Sequence, residues 1–357
     1  MEEEENILTV PEIKIEDVKA LTRIDILKRI SAGNELREGI NDIVKGGMGA
    51  IVVAASPKVM EIARGGFKVN CKFNSKRLTE LAKMDGAILV SEDFKKILYA
   101  NIYLVPDVNL TSIETGIRHQ TAERTAKQIN GMVIAVSQRK REITVYYGNN
   151  RYVLQPTETL LRRATETIQI LEKQREIFNE LIVNLNVLEI TNLVSLADIC
   201  RVLQRIEIIK KMMNIVNEHL IELGKDGIIL RMRMREIIRG LDKEEEMIIK
   251  DYKIKSMRLH NYFENLNFEE ILDVDGIAKN LFKEVLEKEI APKGFRILHK
   301  TSLPKPDIDR LISNFNNLEV LFNAEDSQIE KVIGLQSKNF RKEMNQLREQ
   351  ILVGKKV

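Results

Sequence analysis

MDGAILVSEDFKKILYANIYLVPDVNLTSIETGIRHQTAERTAKQINGMVIAVSQRKR, residues 84–141, is the stretch around which the chain is organised. It holds two polar clusters that packing alone does not explain. Asp85 is an acid at the mouth of a β-branched run, held there by Gly86, which lets another backbone or a ligand approach closely. Further on, Gly116 turns the chain, and Arg118, His119 and Thr121 stand at the start of a helix read as running from Thr121 to Ile129. Free N–H groups at such a start, with donor side chains beside them, make an anion site. Cations there oppose the helix dipole, so an anion is needed to justify them. One acid able to hold a divalent metal beside one anion site suggests a nucleotide. On the residues alone, Asp85 as a turn aspartate and Arg118 with His119 as a solvated helix start also remain open.

Outward from this stretch, Ala50–Ala55, Ala87–Val90, Leu98–Leu104, Met132–Val136, Ile143–Tyr147 and Tyr152–Leu154 are short, rich in β-branched residues and bounded by turns, and read as strands. Helical patterns lie at Ile24–Ile30, Glu35–Lys45, Pro57–Ile62 and Ser75–Met84. The expectation is an α/β N-terminal domain with a mixed sheet flanked by helices. Gly46-Gly47-Met48-Gly49 is no P-loop, because the lysine and hydroxyl that should follow are missing, and it reads as a turn into a buried strand. Residues 1–20 read as a frayed acidic lead followed by a short helix.

After Pro156 the pattern changes. Leu161, Ala164, Ile168, Leu171, Phe178, Ile182 and Leu185 follow three-four spacing with Arg175 as the one polar intruder, and Ile199, Val202, Leu203, Ile206, Ile209, Met213 and Val216 continue it in a second helix that Gly224 stops. Shorter helices at Ile228–Arg239 and Lys243–Tyr252 complete an all-α spine. Beyond Pro292, short helices at Asp307–Asn314, Asp326–Val332 and Ser337–Leu352 have tight joints. From Pro292 to Val357 there are 12 Lys and Arg against 8 Asp and Glu, a local tilt toward phosphate. The domain boundaries are therefore drawn at 1–155, 156–291 and 292–357.

Composition narrows the classes. The formal charge of +3 over 357 residues sets up no global field, so any basic surface is local. Cys71 and Cys200 are too few and too distant for a disulfide framework, which fits a reducing cytosol. His119, His219, His260 and His299 lack metal-ligand spacing, which argues against zinc. No apolar run approaches the ~20 residues of a spanning helix. With an acidic Met1–Asn6, no signal or transit peptide is expected, and the protein is placed in the cytoplasm without a membrane partner.

The motifs DGA (Asp85–Ala87) and RH followed by TAER (Arg118, His119, Thr121–Arg124), with ILYANIYLVPD between them, are similar to those of the DNA integrity scanning proteins, the DisA family of bacterial diadenylate cyclases. GGFKVNCKFNSKRLTELAKMDGA, the helical middle and APKGFRILHK extend the resemblance over nearly the whole chain. It implies a cyclase domain, a helical linker and a small helix-hairpin-helix-like domain in the three segments above. The implied reaction condenses two ATP into cyclic di-AMP with release of two pyrophosphates, with Mg2+ or Mn2+ as cofactor. Asp85 would hold the metal and help deprotonate the 3′-hydroxyl, and Arg118 and His119 would stabilise phosphate charge. Gly86, Ala87, Leu104, Ile117, Gln120, Thr121, Ser137, Arg139 and Lys140 complete the implied nucleotide-binding set, with Leu104 at the adenine wall and Ser137 and Arg139 as further phosphate contacts. Because one subunit holds one ATP, two cyclase domains must meet face to face, and the resemblance implies a homo-octamer. The joint Val332–Ser337 resembles a helix-hairpin-helix, which implies binding of branched DNA through the phosphate backbone at Gly334, with Lys331, Lys338 and Arg341 nearby.

The chain departs from the family pattern in three places. Gln120 stands where a second arginine is usual, Lys140 where another arginine is usual, and Gln336 where a second glycine is usual. A lost charge-assisted hydrogen bond is worth about 1.5–3 kcal/mol, or roughly 10- to 150-fold in rate. On this reading Gln120→Arg raises turnover. The alternative function is a catalytically weakened or inactive nucleotide- and DNA-binding scaffold. A nucleotide hydrolase finds no support, since no paired carboxylates are visible.

Overall fold

The computed structural model describes residues 22–355, so the reading of residues 1–20 lies outside it. Contacts divide the chain into two compact units: the first runs to Ala164 and includes Glu218–Ile229, and the second comprises Thr165–Asn217 and Leu230 onward.

In the first unit eight strands form one mixed sheet: β1 (Ala50–Ala54), β2 (Ala63–Arg64), β3 (Phe67–Lys72), β4 (Ala87–Val90), β5 (Lys96–Leu104), β6 (Met132–Val136), β7 (Ile143–Tyr147) and β8 (Asn150–Leu154). Their order is β2-β5-β4-β1-β6-β7-β8, with β3 also paired to β5. The β1–β4 pair is parallel and the other pairs are antiparallel. Every residue of β1, β4, β6 and β7 is buried. The two-residue period of a strand explains this, because successive side chains enter two different cores. On one face Val52, Ile88, Ile134 and Val145 pack with Ile26, Leu36, Ile40 and Leu78. These come from α1 (Arg23–Arg29), α2 (Glu35–Lys45) and a helix at Ser75–Leu81. On the other face Ile51, Val53, Leu89 and Ala135 pack with Val59, Ile62, Ala122, Ala126 and Ile129. Those belong to α3 (Pro57–Ile62) and, after α4 (Ser75–Leu81), α5 (Ile117–Ile129). Full burial of each such aliphatic side chain contributes about 1.5–3 kcal/mol.

The sheet has two strands more than the sequence reading gives. β2 is too short to show a period, and β3 is largely solvent-exposed with Phe67 half out. Its pairing with β5 slips between Lys68 and Cys71, where Asn70 takes φ 39°, and that bulge breaks the alternation a strand is recognised by.

The second unit is helical. It takes most of α6 (Thr157–Thr191) and of α7 (Leu196–Leu223, which ends at Gly224 as expected), whose ends Thr157–Ala164 and Glu218–Leu223 group with the first unit, and α8 (Ile228–Ile237) and α9 (Leu241–Asp251) follow. Ile168, Leu171, Phe178 and Leu185 of α6 and Ile199, Val202, Leu203 and Ile206 of α7 are buried as the spacing requires. Arg175 is accommodated by stacking its guanidinium 5.0 Å over the Phe178 ring and donating to the Arg239 carbonyl. Its charge thus stays near a polar group while its stem covers apolar surface.

Helices at Lys305–Asn314, Leu318–Asn323, Asp326–Ile333 and Ser337–Leu352 enclose a small core of Ile308, Leu311, Leu318, Leu321, Ile329, Phe340, Met344 and Leu347. The sequence reading missed Leu318–Asn323, which Asn317 caps by accepting the Val320 N–H. A buried charge network also belongs to this unit. Arg296 donates from Nη1 to Glu189 Oε2 at 2.6 Å and from Nη2 to Asn186 Oδ1 at 3.0 Å, while Tyr252 Oη donates to Glu189 Oε1 at 2.7 Å. Asp251 accepts the N–H groups of Gly294, Phe295 and Arg296 at 2.6–2.8 Å.

Candidate functional site

A pocket of about 460 Å³ opens on the α5 face of the sheet. Asp85, Gly86, Ala87, Leu104, Ile117, Arg118 and Thr121 line it together with Ile51, Ile102 and Tyr103. Two sequence clusters more than thirty residues apart thus meet because β4 and β5 pair and α5 lies over them. Gly86 has φ +97°, and a Cβ there would stand 2.8 Å from the Asn101 carbonyl carbon. Only glycine allows this turn, which leaves Asp85 exposed at the pocket edge. Among the described residues Asp85 has no side-chain hydrogen bond or ion pair.

α5 begins at Ile117, four residues earlier than the sequence suggests, so Arg118 and His119 lie inside its first turn. Gly116 is its N-cap and supplies no side-chain hydrogen bond, and the first turn carries no acid. The orphan N–H groups of this helix end are therefore left without a side-chain cap of their own, beside two potential cations. Arg118 lies across Gly49, where a Cβ would stand 2.1 Å from its Nη1. The third glycine of the Gly46–Gly49 cluster is thus space for a guanidinium, a role its reading as a turn did not include.

His119 is half-buried and meets Tyr146 edge-on, ring centroids 6.5 Å apart at 77°. Burial pushes its pKa down; Glu114 pulls it up, and Arg118, Arg151 and Lys140 push it down further. The balance favours a neutral imidazole, which can donate one hydrogen bond.

His119, Gln120, Ser137, Arg139 and Lys140 do not line the pocket. Lys140 is near enough to depress His119, and it sits in a turn where its N–H donates to Ser137 Oγ at 3.1 Å. Arg139 is exposed on the same turn. Gln120 Nε2 donates to the Glu114 carbonyl at 2.7 Å, so its side chain serves the loop ahead of α5.

That loop, residues 105–116, is clipped along α5 by side chains the sequence reading gave no role. Glu123 is buried and accepts from Ser112 Oγ at 2.6 Å, the Ile113 N–H at 3.1 Å and Lys127 Nζ at 2.8 Å. Arg124 Nε and Lys127 Nζ donate to the carbonyls of Leu110 and Thr111, and Gln128 Oε1 accepts the Asp107 N–H. Glu123 and Arg124 of the TAER motif are thus loop anchors. An acid at Glu123 beside Ala122, Thr125 and Ala126, all buried, is the signal that could have found this.

At the other candidate site, Gly334 ends the helix Asp326–Ile333 with φ +63° and ψ −137°, which calls for glycine. Its own N–H donates to the Glu330 carbonyl, so it shapes the hairpin but is not a free phosphate donor. Gln336 has φ −77° and ψ −11°, ordinary for any residue, so no backbone requirement for glycine exists there. Lys331 and Lys338 are exposed. Arg341 donates to Asp326 Oδ1 at 2.9 Å, to the Phe322 carbonyl at 3.1 Å and to the Ala324 carbonyl, so its guanidinium is engaged with the neighbouring helices.

Comparison with known proteins adds three findings. A family model described as DisA bacterial checkpoint controller nucleotide-binding matches residues 37–151, and one described as DisA bacterial checkpoint controller linker region matches residues 154–285. The DNA integrity scanning protein DisA of Clostridium botulinum (strain Langeland / NCTC 10281 / Type F) is 34% identical over 354 residues, covering 96% of this chain and 100% of the relative. That of Clostridioides difficile (strain 630) is 38% identical over 318 residues, covering 87% and 89%. Among solved structures, a DacA from Staphylococcus aureus aligns with TM-score 0.30 and 19% identity over 40% of this chain and 95% of its own; at that score the likeness carries no weight.

Proposed function

The chain belongs to the DisA family, and from that premise we propose that its α/β domain is a diadenylate cyclase, condensing two ATP into cyclic di-AMP and two pyrophosphates. The observation that carries this reading is the pocket itself. An unpaired carboxylate at Asp85 shares a cavity with Arg118 and with a helix N-terminus that has no side-chain cap. Such a cavity suits a polyphosphate together with its counter-cation.

In each half-reaction a 3′-oxygen bonds to the α-phosphorus of the other ATP as the bond from that phosphorus to pyrophosphate breaks. The hydroxyl proton leaves to a base, and Asp85 is placed to assist. Arg118 and the α5 N–H groups receive charge that grows on the phosphate oxygens, and His119 adds a neutral donor. Leu104 and Ile102 offer an apolar wall for the base, with Gly86 giving close backbone approach.

A divalent cation fits this donor set. Among the described residues no cluster of three or more metal-ligating side chains exists, but Mg2+ and Mn2+ are commonly held by one or two carboxylates plus substrate phosphates. Asp85 would be that carboxylate, and the metal when bound would neutralise phosphate charge.

Because each domain has one such pocket, two must face each other for head-to-tail attack. Support comes from exposed apolar side chains at the pocket and on the loop beside it: Tyr103 (71% exposed), Ile117 (84%), Ile113 (80%), Val105 and Val108. Apolar surface grouped this way favours association. By resemblance to the family, the same reading takes such pairs to assemble into an octamer through the helical segment and residues 292–357 to bind branched DNA, with Lys331 and Lys338 as the phosphate-facing cations. No helix among the described residues is long and apolar enough to cross a membrane, and both cysteines are free thiols; a cytoplasmic site of action is part of the proposal.

A second reading, a scaffold that binds nucleotide and DNA without turnover, draws on Gln120 and Lys140 where the family has arginines. Incubation of the full-length protein with ATP and Mn2+, followed by chromatography, separates the two. Cyclic di-AMP supports the cyclase; bound but unconverted ATP supports the scaffold.

A further inference from the structure

Glu114 precedes the N-cap of α5 by two residues and lines no part of the pocket, yet three elements converge on it. Its Oε1 accepts from Tyr146 Oη on β7 at 2.7 Å and from Arg151 Nε on β8 at 2.7 Å. Its carbonyl accepts Gln120 Nε2 from α5 at 2.7 Å, and its N–H donates to Ser112 Oγ at 3.2 Å. The carboxylate is mostly buried, with 15% of the side chain exposed. Tyr146 in turn holds its ring edge-on to His119.

The arrangement answers a physical problem at this helix end. The first turn of α5 carries the Arg118 charge against the helix dipole, with the neutral His119 beside it, without an acid and without a side-chain cap, so little in the helix itself fixes where the turn sits. A charged residue just ahead of it, held by four hydrogen bonds, does. We infer that Glu114 is a positioning residue for the phosphate-binding turn: clamped by Tyr146, Arg151 and Gln120, it sets where Arg118 and His119 present their donors without itself touching the nucleotide. This rests on the nucleotide reading of the pocket. The role of Gln120 changes accordingly, from a missing phosphate contact to one jaw of the clamp.

The electrostatics agree. Desolvation works to raise the Glu114 pKa, but hydrogen bonds from Arg151 and Tyr146 outweigh it and hold the carboxylate ionised. The groups facing His119 are then one anion, Glu114, and three cations: Arg118 on α5, Arg151 on β8 and Lys140 in the turn before β7.

The test uses the full-length protein and the variants Glu114→Gln and Tyr146→Phe. Two readouts are taken: the kcat and KM for cyclic di-AMP formation, and the NMR titration of the His119 imidazole, assigned by its loss in His119→Asn. Misplacing donors by about 1 Å costs on the order of 10²-fold. Glu114→Gln is therefore expected to lower kcat by about that factor with KM changed by less than about threefold. It should also move the His119 titration to lower pH, because the site loses its one anion. Tyr146→Phe keeps the carboxylate, so His119 should titrate as in wild type while kcat falls by about tenfold, the loss of one hydrogen bond. Wild-type kcat in Glu114→Gln overturns the inference. So does a lowered kcat with an unmoved titration, which would make Glu114 a residue of the fold alone. If Glu114→Gln lacks a cooperative melt, Tyr146→Phe decides: an unchanged kcat overturns the clamp and a tenfold fall supports it. A wild-type protein that converts no ATP overturns the cyclase reading instead, and the His119 titration then decides the positioning by itself.

Discussion

Arg118 and Arg296 sit in the same chain under opposite rules. Arg296 is fully buried and meets a carboxylate or amide at each nitrogen: Glu189 on Nη1, Asn186 on Nη2, and Glu244 on Nε at 3.3 Å. Around it Tyr252 completes Glu189, and Asp251 gathers three N–H groups, its own carboxyl pushed up to about 7 by burial and by the Glu189 charge. Arg118 lies half-exposed over Gly49, and among the described residues its guanidinium has no side-chain hydrogen bond or ion pair, as Asp85 beside the same pocket has none. A buried charge must be paired or the fold does not survive. A charge left open at a cavity is stable only because water reaches it, and it is free for a ligand. The closed cluster belongs to the architecture, and the open one is the cluster proposed to bind the nucleotide.

That contrast can be broken most severely at Asp85. Asp85→Asn removes an exposed, unpartnered carboxylate, so cyclic di-AMP formation should fall to background while the melting temperature stays within about 1 °C, a change under ~0.5 kcal/mol as expected for a surface site. A variant that still cyclises ATP would show that Asp85 is only a turn residue. Arg296→Ala is the mirror image. It strands Glu189 in the interior and should cost about 3–5 kcal/mol, read by calorimetry of the full-length protein. A loss below about 1 kcal/mol would mean the network is wet.

Smaller effects sharpen the line between the two kinds of site. Gln120→Arg keeps an N–H donor for the Glu114 carbonyl and so keeps that jaw of the clamp, and kcat should stay within about threefold of wild type. A tenfold rise would show that the longer side chain swings to the phosphates, as the family pattern alone suggests. The smallest effect is expected at the C-terminal segment, for which DNA binding is proposed. Full-length protein should retard a four-way junction in a salt-dependent way, and Lys338→Ala should reduce the slope of log K against log salt by about one. Arg341→Ala should instead appear as a loss of stability, since Arg341 ties the helix Ser337–Leu352 to Phe322, Ala324 and Asp326.

Much of this was legible from residue order alone. The buried strands β1, β4, β6 and β7, the helices Glu35–Lys45 and Pro57–Ile62, and the long seams of α6 and α7 follow from apolar spacing, because a two- or 3.6-residue period is a property of local geometry. Asp85, Gly86, Arg118 and Thr121 stood out because polar groups beside glycine at element ends have no packing reason to be there. β3 was hidden by its bulge and its exposure, and the early start of α5 by the absence of any capping side chain at Gly116.

What tertiary structure decided is partnership. Nothing local distinguishes Gln120 from a pocket residue, Gly49 from a turn glycine, or Arg341 from a free surface cation. Their roles depend on Glu114, Arg118 and Asp326, which the fold brings from 6, 69 and 15 residues away. Glu189 and Arg296, 107 residues apart, carry no mark of each other in the sequence. Periodicity fixes which way a side chain faces, since that depends on its own backbone. What it meets there depends on how distant elements pack, and for a charged group that decides whether it is closed in the fold or left open for a ligand.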